Sequence, residues 1–199
     1  MEMNADLSQD FTMEEVRLAL NQMHPTKAPG PNGMSAIFYQ KYWAIVRNDV
    51  TNMVFNVLNS DAPITDINNT NIVLVPKVKN PTRMKEFRPI SLSNVCYKLI
   101  SKVLANYLKI ILPQIISENQ SAFISERLIT NNVLVTFELM HDLDHKKQGK
   151  ESFMAVKLDM SKAYDRVEWV FVEKVMRQLG FHGKWIEWAL KCITTVSLD

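Results

Sequence analysis

One short run holds the densest set of groups that could do chemistry. It reads KLDMSKAYD over residues 157–165, and Asp159 lies where a predicted buried strand, residues 153–158, ends. A carboxylate held rigidly at the end of a strand suits a hard cation such as Mg²⁺, and Tyr164 is close enough in sequence to line the same pocket. Alternatively, Asp159 or Ser161 caps the next helix and Asp165 pairs with a neighbouring base. These residues alone leave both interpretations open.

A second feature is a concentration of positive charge. Residues 76–109 contain eight Lys and Arg against Glu86 alone, although the whole chain has a net charge of only +2. Such a block is typical of a surface that binds phosphate groups. A solvated basic face explains it equally well from charge alone.

Other chemistries lack support in the sequence. The four His are scattered and form no cluster with metal-ligand spacing. There is no nucleophile elbow around any Ser, and the Pro- and Gly-rich stretch at 27–33 lacks the phosphate-loop pattern. Cys96 and Cys192 are expected to be reduced core residues. No apolar run approaches the ~20 residues that span a bilayer, and the N-terminus does not resemble a signal peptide, so we expect an intracellular protein, nuclear or cytoplasmic, without a membrane partner.

The elements that must position these residues follow from apolar periodicity and turn signals. Helices are predicted at 13–23, after a capping box of Thr12 and Glu15, and at 37–58, 94–112, 131–143 and 165–179, with a last amphipathic helix around Trp185. Pro113 is expected to end the helix at 94–112, and Gly180 to close the helix at 165–179. Strands at 72–75 and 87–92 form a hairpin with a basic loop, and Pro89 favours an edge position.

Five blocks, in order along the chain, resemble one family. They are KAPGPNG at 27–33 after the opening helix, VLVPK at 73–77 with FRPISLSN at 87–94, YKLISKVLA at 97–105, QSAF at 120–123 with RLITNN at 127–132, and KLD to AYDRV over 157–167. Together they are similar to the reverse transcriptase domain of LINE-type, plant-like non-LTR retrotransposons. The match spans residues 12 to about 192.

The resemblance implies a role for individual residues. Asp159 corresponds to the palm aspartate that binds both catalytic Mg²⁺ ions, and the backbone carbonyl of Met160 would be a further ligand. Tyr164 corresponds to the aromatic gate that selects dNTPs over NTPs. Arg88 and Lys77 correspond to cations that hold the triphosphate. Ordinary core packing for Tyr164 and exposed loop charges for the two cations are the alternatives.

Three further bases would contact template or primer phosphates: Lys98, Lys102 and Arg127. A solvated helix face is the alternative for the two lysines. The implied partners are an RNA template, a DNA primer and dNTPs, and the oligomeric state is unknown.

The sequence departs from the family pattern in several places. Asn32 and Asn131 stand where Asp is common, and Ser125-Glu126 stands where a Gly-containing turn is usual. The family's Tyr-x-Asp-Asp motif does not occur, nor do the segment before it and the thumb. We therefore expect a truncated chain, with a palm portion that is loose or prone to aggregation because a central strand has lost its neighbours.

These observations predict an α+β fold. It comprises a helix-rich fingers subdomain with a short β-hairpin, plus the first strand and helices of a palm, in an incomplete right-hand polymerase fold. The expected division is a disordered N-terminus at 1–11, a fingers-like part at 12–150 and the beginning of a palm at 151–199. The expected function is that of a fragment of an RNA-directed DNA polymerase, inactive alone; the alternative is a non-catalytic nucleic-acid-binding remnant or pseudogene product.

Overall fold

A computed structural model describes residues 2–60, 62–145, 153–160 and 162–198. Its helices are α1 (Glu2–Leu7), α2 (Met13–Asn21), α3 (Ala36–Lys41), α4 (Trp43–Asn59), α5 (Val95–Ile115), α6 (Ile129–His145), α7 (Trp169–Gln178) and α8 (Gly183–Thr194). The strands are β1 (Asn69–Pro76), β2 (Phe87–Ser93) and β3 (Ser197–Leu198). Short 3-10 turns lie at Thr65–Ile67, Met84–Glu86 and Tyr164–Arg166.

Helix α5 is the centre of the core. Its apolar side chains recur at helical spacing, so one side is buried against α1, α2, α4 and α8. The fully buried positions include Leu99, Ile100, Val103 and Ile111. The predicted helix over 94–112 is therefore confirmed.

Pro113 does not end α5, which runs on to Ile115. Proline removes one backbone N–H and so leaves the carbonyl of Lys109 without its usual helical partner. The next turn still closes, because the Ile116 N–H donates to the Leu112 carbonyl at 3.0 Å. The prediction that the helix ends at Pro113 was wrong by one short turn.

The first predicted helix is confirmed as α2. Thr12 and Glu15 form the expected capping box, and Val16, Ala19 and Leu20 are buried. The next predicted helix, 37–58, is instead two helices that meet at Tyr42. Because the apolar periodicity continues across Tyr42, this break was not visible in the sequence.

The N-terminal residues are ordered where disorder was predicted. Helix α1 places Leu7 in the core, and Phe11 packs edge-on against Tyr107 and Trp188, each with ring centroids 5.3 Å apart. The Asn4 side chain also bridges to the start of α8, accepting from the His182 N–H at 3.0 Å. Two apolar side chains, Leu7 and Phe11, thus dock this segment on the core.

The β-hairpin is confirmed. β1 and β2 pair antiparallel from Thr70 opposite Ser93 to Pro76 opposite Phe87. The sheet order is β2-β1-β3, so Pro89 lies on an edge strand, as predicted. β3 adds a short parallel pairing at the start of β1.

Helices α7 and α8 are joined by a tight cap. Gly180 has φ +84°, and the N–H groups of Gly180 and Phe181 donate to the carbonyls of Arg177 and Met176. This is the Schellman arrangement that favours glycine after a helix. The predicted closing role of Gly180 is confirmed, although the helix begins at Trp169 rather than Asp165.

Candidate nucleic-acid interface

Asp159 lies on an exposed, irregular segment. Residues 153–160 form neither helix nor strand, and Leu158 is 90% exposed. The predicted strand over 153–158 is therefore wrong. A strand is stabilised by backbone hydrogen bonds to neighbours, and the one sheet in the described residues consists of β1, β2 and β3 alone.

The described residues do not by themselves fit a Mg²⁺ centre. Among them no group of three or more His, Cys, Asp or Glu side chains is placed to hold a metal ion. Asp159, Met160 and Asp165 are all exposed. Ser161, the other predicted cap, lies outside the described residues.

Tyr164 is 78% exposed and begins the 3-10 turn Tyr164–Arg166. The turn is closed by the Asp165 N–H, which donates to the Lys162 carbonyl at 3.1 Å. The alternative of ordinary core packing for Tyr164 is wrong in this structure. Its role beside Asp159 stays a prediction.

Lys77 and Arg88 lie at the loop end of the hairpin. Arg88 is opposite Val75 in the register, and Lys77 directly follows Pro76, the last residue of β1. The Lys77 N–H donates to the Glu86 carbonyl at 2.8 Å, and its Nζ donates to the Lys85 carbonyl at 3.2 Å. Arg88 is exposed.

Glu86, the single acid of the basic block, is used to close the hairpin loop. Its Oε2 accepts hydrogen bonds from the N–H groups of Thr82 at 2.7 Å and Arg83 at 3.0 Å. These bonds favour the carboxylate form and hold the pKa of Glu86 below its ordinary value. The loop acid is thus bound to backbone, and no described Lys or Arg of residues 76–109 forms an ion pair with it.

Lys98 and Lys102 lie one turn apart on α5 and are half-buried. The pKa of Lys98 is lowered by burial and by the neighbouring Lys27. Burial and Lys109 lower the pKa of Lys102. Their contact with template or primer phosphates stays a prediction, and a solvated helix face stays the alternative.

Arg127 has a structural task. Its Nη1 donates to the carbonyls of Ser117 at 2.5 Å and Gln120 at 2.8 Å, and its Nη2 lies 3.4 Å from those of Pro113 and Ile116. The guanidinium thus satisfies carbonyls at the end of α5 that lack helical partners. Its predicted contact with nucleic acid is untested.

Gly30 and Asn94 hold the loop at 27–33 against the start of α5, and this role was not predicted from the sequence. A Cβ on Gly30 would lie 2.4 Å from the Asn94 nitrogen, so only glycine fits where the 27–33 loop crosses the start of α5. The Asn94 Oδ1 accepts from the Asn32 N–H at 3.1 Å, and its Nδ2 donates to the Ile67 carbonyl at 3.2 Å. The loop is thereby fixed so that Lys27 lies beside Lys98. The glycines of the loop were the one sign in the sequence of a close backbone contact. The sequence did not show that the partner of Gly30 is the backbone at Ser93 and Asn94.

Comparison with known proteins identifies a family. The family "Reverse transcriptase (RNA-dependent DNA polymerase)" matches residues 75–198, from the end of β1 to β3. A curated relative, the "Transposon TX1 uncharacterized 149 kDa protein" of Xenopus laevis, is 26% identical over 180 residues, 90% of this chain. The chain spans 14% of that relative's length.

The chain belongs to the reverse transcriptase family. The recognition of a LINE-type reverse transcriptase domain is confirmed, since the relative is a transposon protein; the plant-like assignment stays a prediction. Divalent metal, RNA template and primer are general to the family. Within the described residues, no helix is both long and apolar enough to cross a membrane.

Proposed function

We propose that this chain serves RNA-directed DNA synthesis, with its helical part and hairpin holding nucleic acid by their phosphates. The observation that carries the proposal is the concentration of eight bases against one acid in residues 76–109, all within or beside the family match. The one acid is already bound to the loop backbone. Phosphate contacts are the main source of affinity for such a surface, and they make it dependent on salt.

Individual roles follow from the family. Arg88 and Lys77, both at the loop end of the hairpin, would hold the triphosphate of a dNTP, Arg88 by its bidentate fork and Lys77 as a point charge. Tyr164 would discriminate against a 2′-hydroxyl. Lys98 and Lys102 would contact template or primer phosphates. Arg127, already bound to four carbonyls, has less capacity for such a contact.

Asp159 would supply one carboxylate, and Met160 one carbonyl, to a Mg²⁺ site. Because the described residues offer no cluster of three ligands, we derive no step of the reaction through the metal. This is also why we propose that residues 1–199 alone do not extend a primer. We retain the division into a fingers-like part at 12–150 and the beginning of a palm at 151–199 as part of the proposal.

A second candidate is a non-catalytic nucleic-acid binder. This candidate is favoured because the lysines of α5 and the segment that carries Asp159 belong to different parts of the structure. Helix α5 packs on a core that includes α1, α2, α4 and α8, whereas residues 153–160 are exposed. Nucleic-acid binding therefore does not require the Asp159 segment to be ordered.

Primer extension on an RNA template with dNTPs and Mg²⁺ tests the proposal, with Asp159→Ala as the matched variant. We expect salt-dependent RNA binding by both proteins and extension by neither. Extension by the unaltered chain that is lost in Asp159→Ala would contradict inactivity and mean that further carboxylates come from elsewhere, such as a second copy.

Absence of binding would contradict both candidates. For a single strand the slope of log affinity against log salt should be about −0.7 for each phosphate neutralised. A slope near zero would refute the assignment of the basic block to phosphate binding.

A further inference from the structure

A cavity of about 380 Å³ lies between the end of α2, the loop that follows it and the first turns of α5. Its polar lining includes the side chains of His24, Lys27, Lys98 and Lys102. Apolar lining comes from residues such as Ala28, Ala36, Val95 and Ala105. Lys27 and His24 lie outside residues 75–198 that match the family, so family membership does not account for the whole cavity.

The charges around the cavity are of one sign. No described acidic side chain lies within 4 Å of the amines of Lys27, Lys98 or Lys102. Lys98 and Lys102 are each half-buried, and mutual repulsion with Lys27 adds to the cost of keeping Lys98 charged. Partly buried cations without a partner are unfavourable, and an anion between them removes that cost.

The N-terminal end of α5 adds to the positive electrostatic potential of the cavity. Val95, its first residue, lines the cavity. The preceding Asn94 does not cap the helix through its side chain, because its Oδ1 accepts from the Asn32 N–H instead. The positive end of a 21-residue helix thus borders the cavity near Lys98, which lies in the first turn of α5.

The wall opposite α5 is fixed by hydrogen bonds. The Thr26 N–H donates to the His24 Nδ1 at 3.4 Å, so the ring is held through this nitrogen and Nε2 is left for another hydrogen bond. The Gln40 Nε2 donates to the Leu20 and Met23 carbonyls at 2.9 Å each and so satisfies the end of α2. The carbonyls of Leu20 and Met23 therefore already have a side-chain donor.

We propose that this cavity binds one phosphate group between Lys27, Lys98 and Lys102, with the His24 Nε2 as a further hydrogen-bonding group. The apolar lining gives room for the sugar attached to that phosphate. The phosphate is either a phosphodiester of an RNA strand or a free inorganic phosphate. Binding of an RNA phosphodiester rests on the proposed function and deepens it. Binding of free inorganic phosphate is independent of the proposed function.

The test uses the whole chain with its alanine methyl groups labelled with ¹³C. Inorganic phosphate is titrated at constant ionic strength, balanced with chloride. We expect saturable shifts at the methyls of Ala28, Ala36 and Ala105. Equal shifts with chloride alone would overturn the proposal.

The variants are the double substitution Lys98→Gln and Lys102→Gln, and the control Lys174→Gln, an exposed lysine of α7 that does not line the cavity. The double variant should bind phosphate about tenfold more weakly or worse, because two charge-assisted hydrogen bonds are lost. Lys174→Gln should bind as the unaltered chain does. Unchanged affinity in the double variant would overturn the site. If the double variant does not fold, Lys27→Gln in the exposed loop makes the same test.

A short single-stranded RNA then distinguishes the two sources. Displacement of phosphate by RNA, with a salt slope smaller by about 0.7 in the double variant, supports the phosphodiester. Saturation by phosphate that RNA does not displace supports the free ion. Because the titration with inorganic phosphate needs no RNA, absence of salt-dependent RNA binding would refute the proposed function and leave this result unaffected, whereas failure of the titration leaves the proposed function standing.

Discussion

Replacing Gly30 by alanine is the sharpest test of how the loop at 27–33 is held against the start of α5. The new Cβ would lie 2.4 Å from the Asn94 nitrogen, 2.5 Å from the Ser93 carbonyl carbon and 2.7 Å from the Asn94 Cα. All three are backbone atoms at the junction of β2 and α5, so no side-chain rotation relieves the clash. The loop must move away from the start of α5.

The expected cost has two parts. Overpacking at a close contact costs about 1–3 kcal/mol, and loss of the hydrogen bond from the Asn32 N–H to the Asn94 Oδ1 costs about 1 kcal/mol. We therefore expect Gly30→Ala to lower the free energy of unfolding by about 2–4 kcal/mol. For a chain of this size each kcal/mol corresponds to about 2–4 °C in the melting temperature.

Urea unfolding followed by circular dichroism measures this change, provided the slope against urea stays constant. The matched control is Gly183→Ala, where a Cβ meets nothing within 4 Å at the first position of α8. The control should be neutral or stabilising by up to about 1 kcal/mol. A loss below about 0.5 kcal/mol in Gly30→Ala would refute the argument that this contact fastens the loop.

Three other changes test separate parts of the structure. Arg127→Met should lower the free energy of unfolding by about 2–3 kcal/mol, since hydrogen bonds from a charged group are lost; an unchanged urea midpoint with weaker RNA binding would instead assign Arg127 to the nucleic acid. Glu86→Gln should destabilise the hairpin above pH 4.5, the ordinary pKa of a glutamate, and the difference from the unaltered chain should shrink as the pH falls through the lowered pKa of Glu86; a difference independent of pH in amide exchange would contradict this. Cys192 should react slowly with iodoacetamide at neutral pH, because burial raises its pKa to about 11; mass spectrometry showing labelling as fast as an unfolded control would be inconsistent with its burial.

Sequence alone was sufficient for the local elements. The capping box at Thr12 and Glu15, the long apolar face of α5 and the hairpin with Pro89 at its edge were all predicted and are confirmed. Helices and tight turns close hydrogen bonds between residues near in sequence, so their signals are local. The basic block and the family motifs were visible for the same reason, since they depend on residue type and order.

Tertiary structure decided what depends on distant partners. Residues 153–160 have the composition of a buried strand but form none among the described elements, because pairing requires neighbours that composition does not supply. The crossing of Gly30 over Asn94, the carbonyl contacts of Arg127 and the docking of α1 on α8 join residues far apart in the chain. Sequence thus determined the family and the cationic character, while long-range packing decided which cations are gathered around a cavity and which one supports the fold.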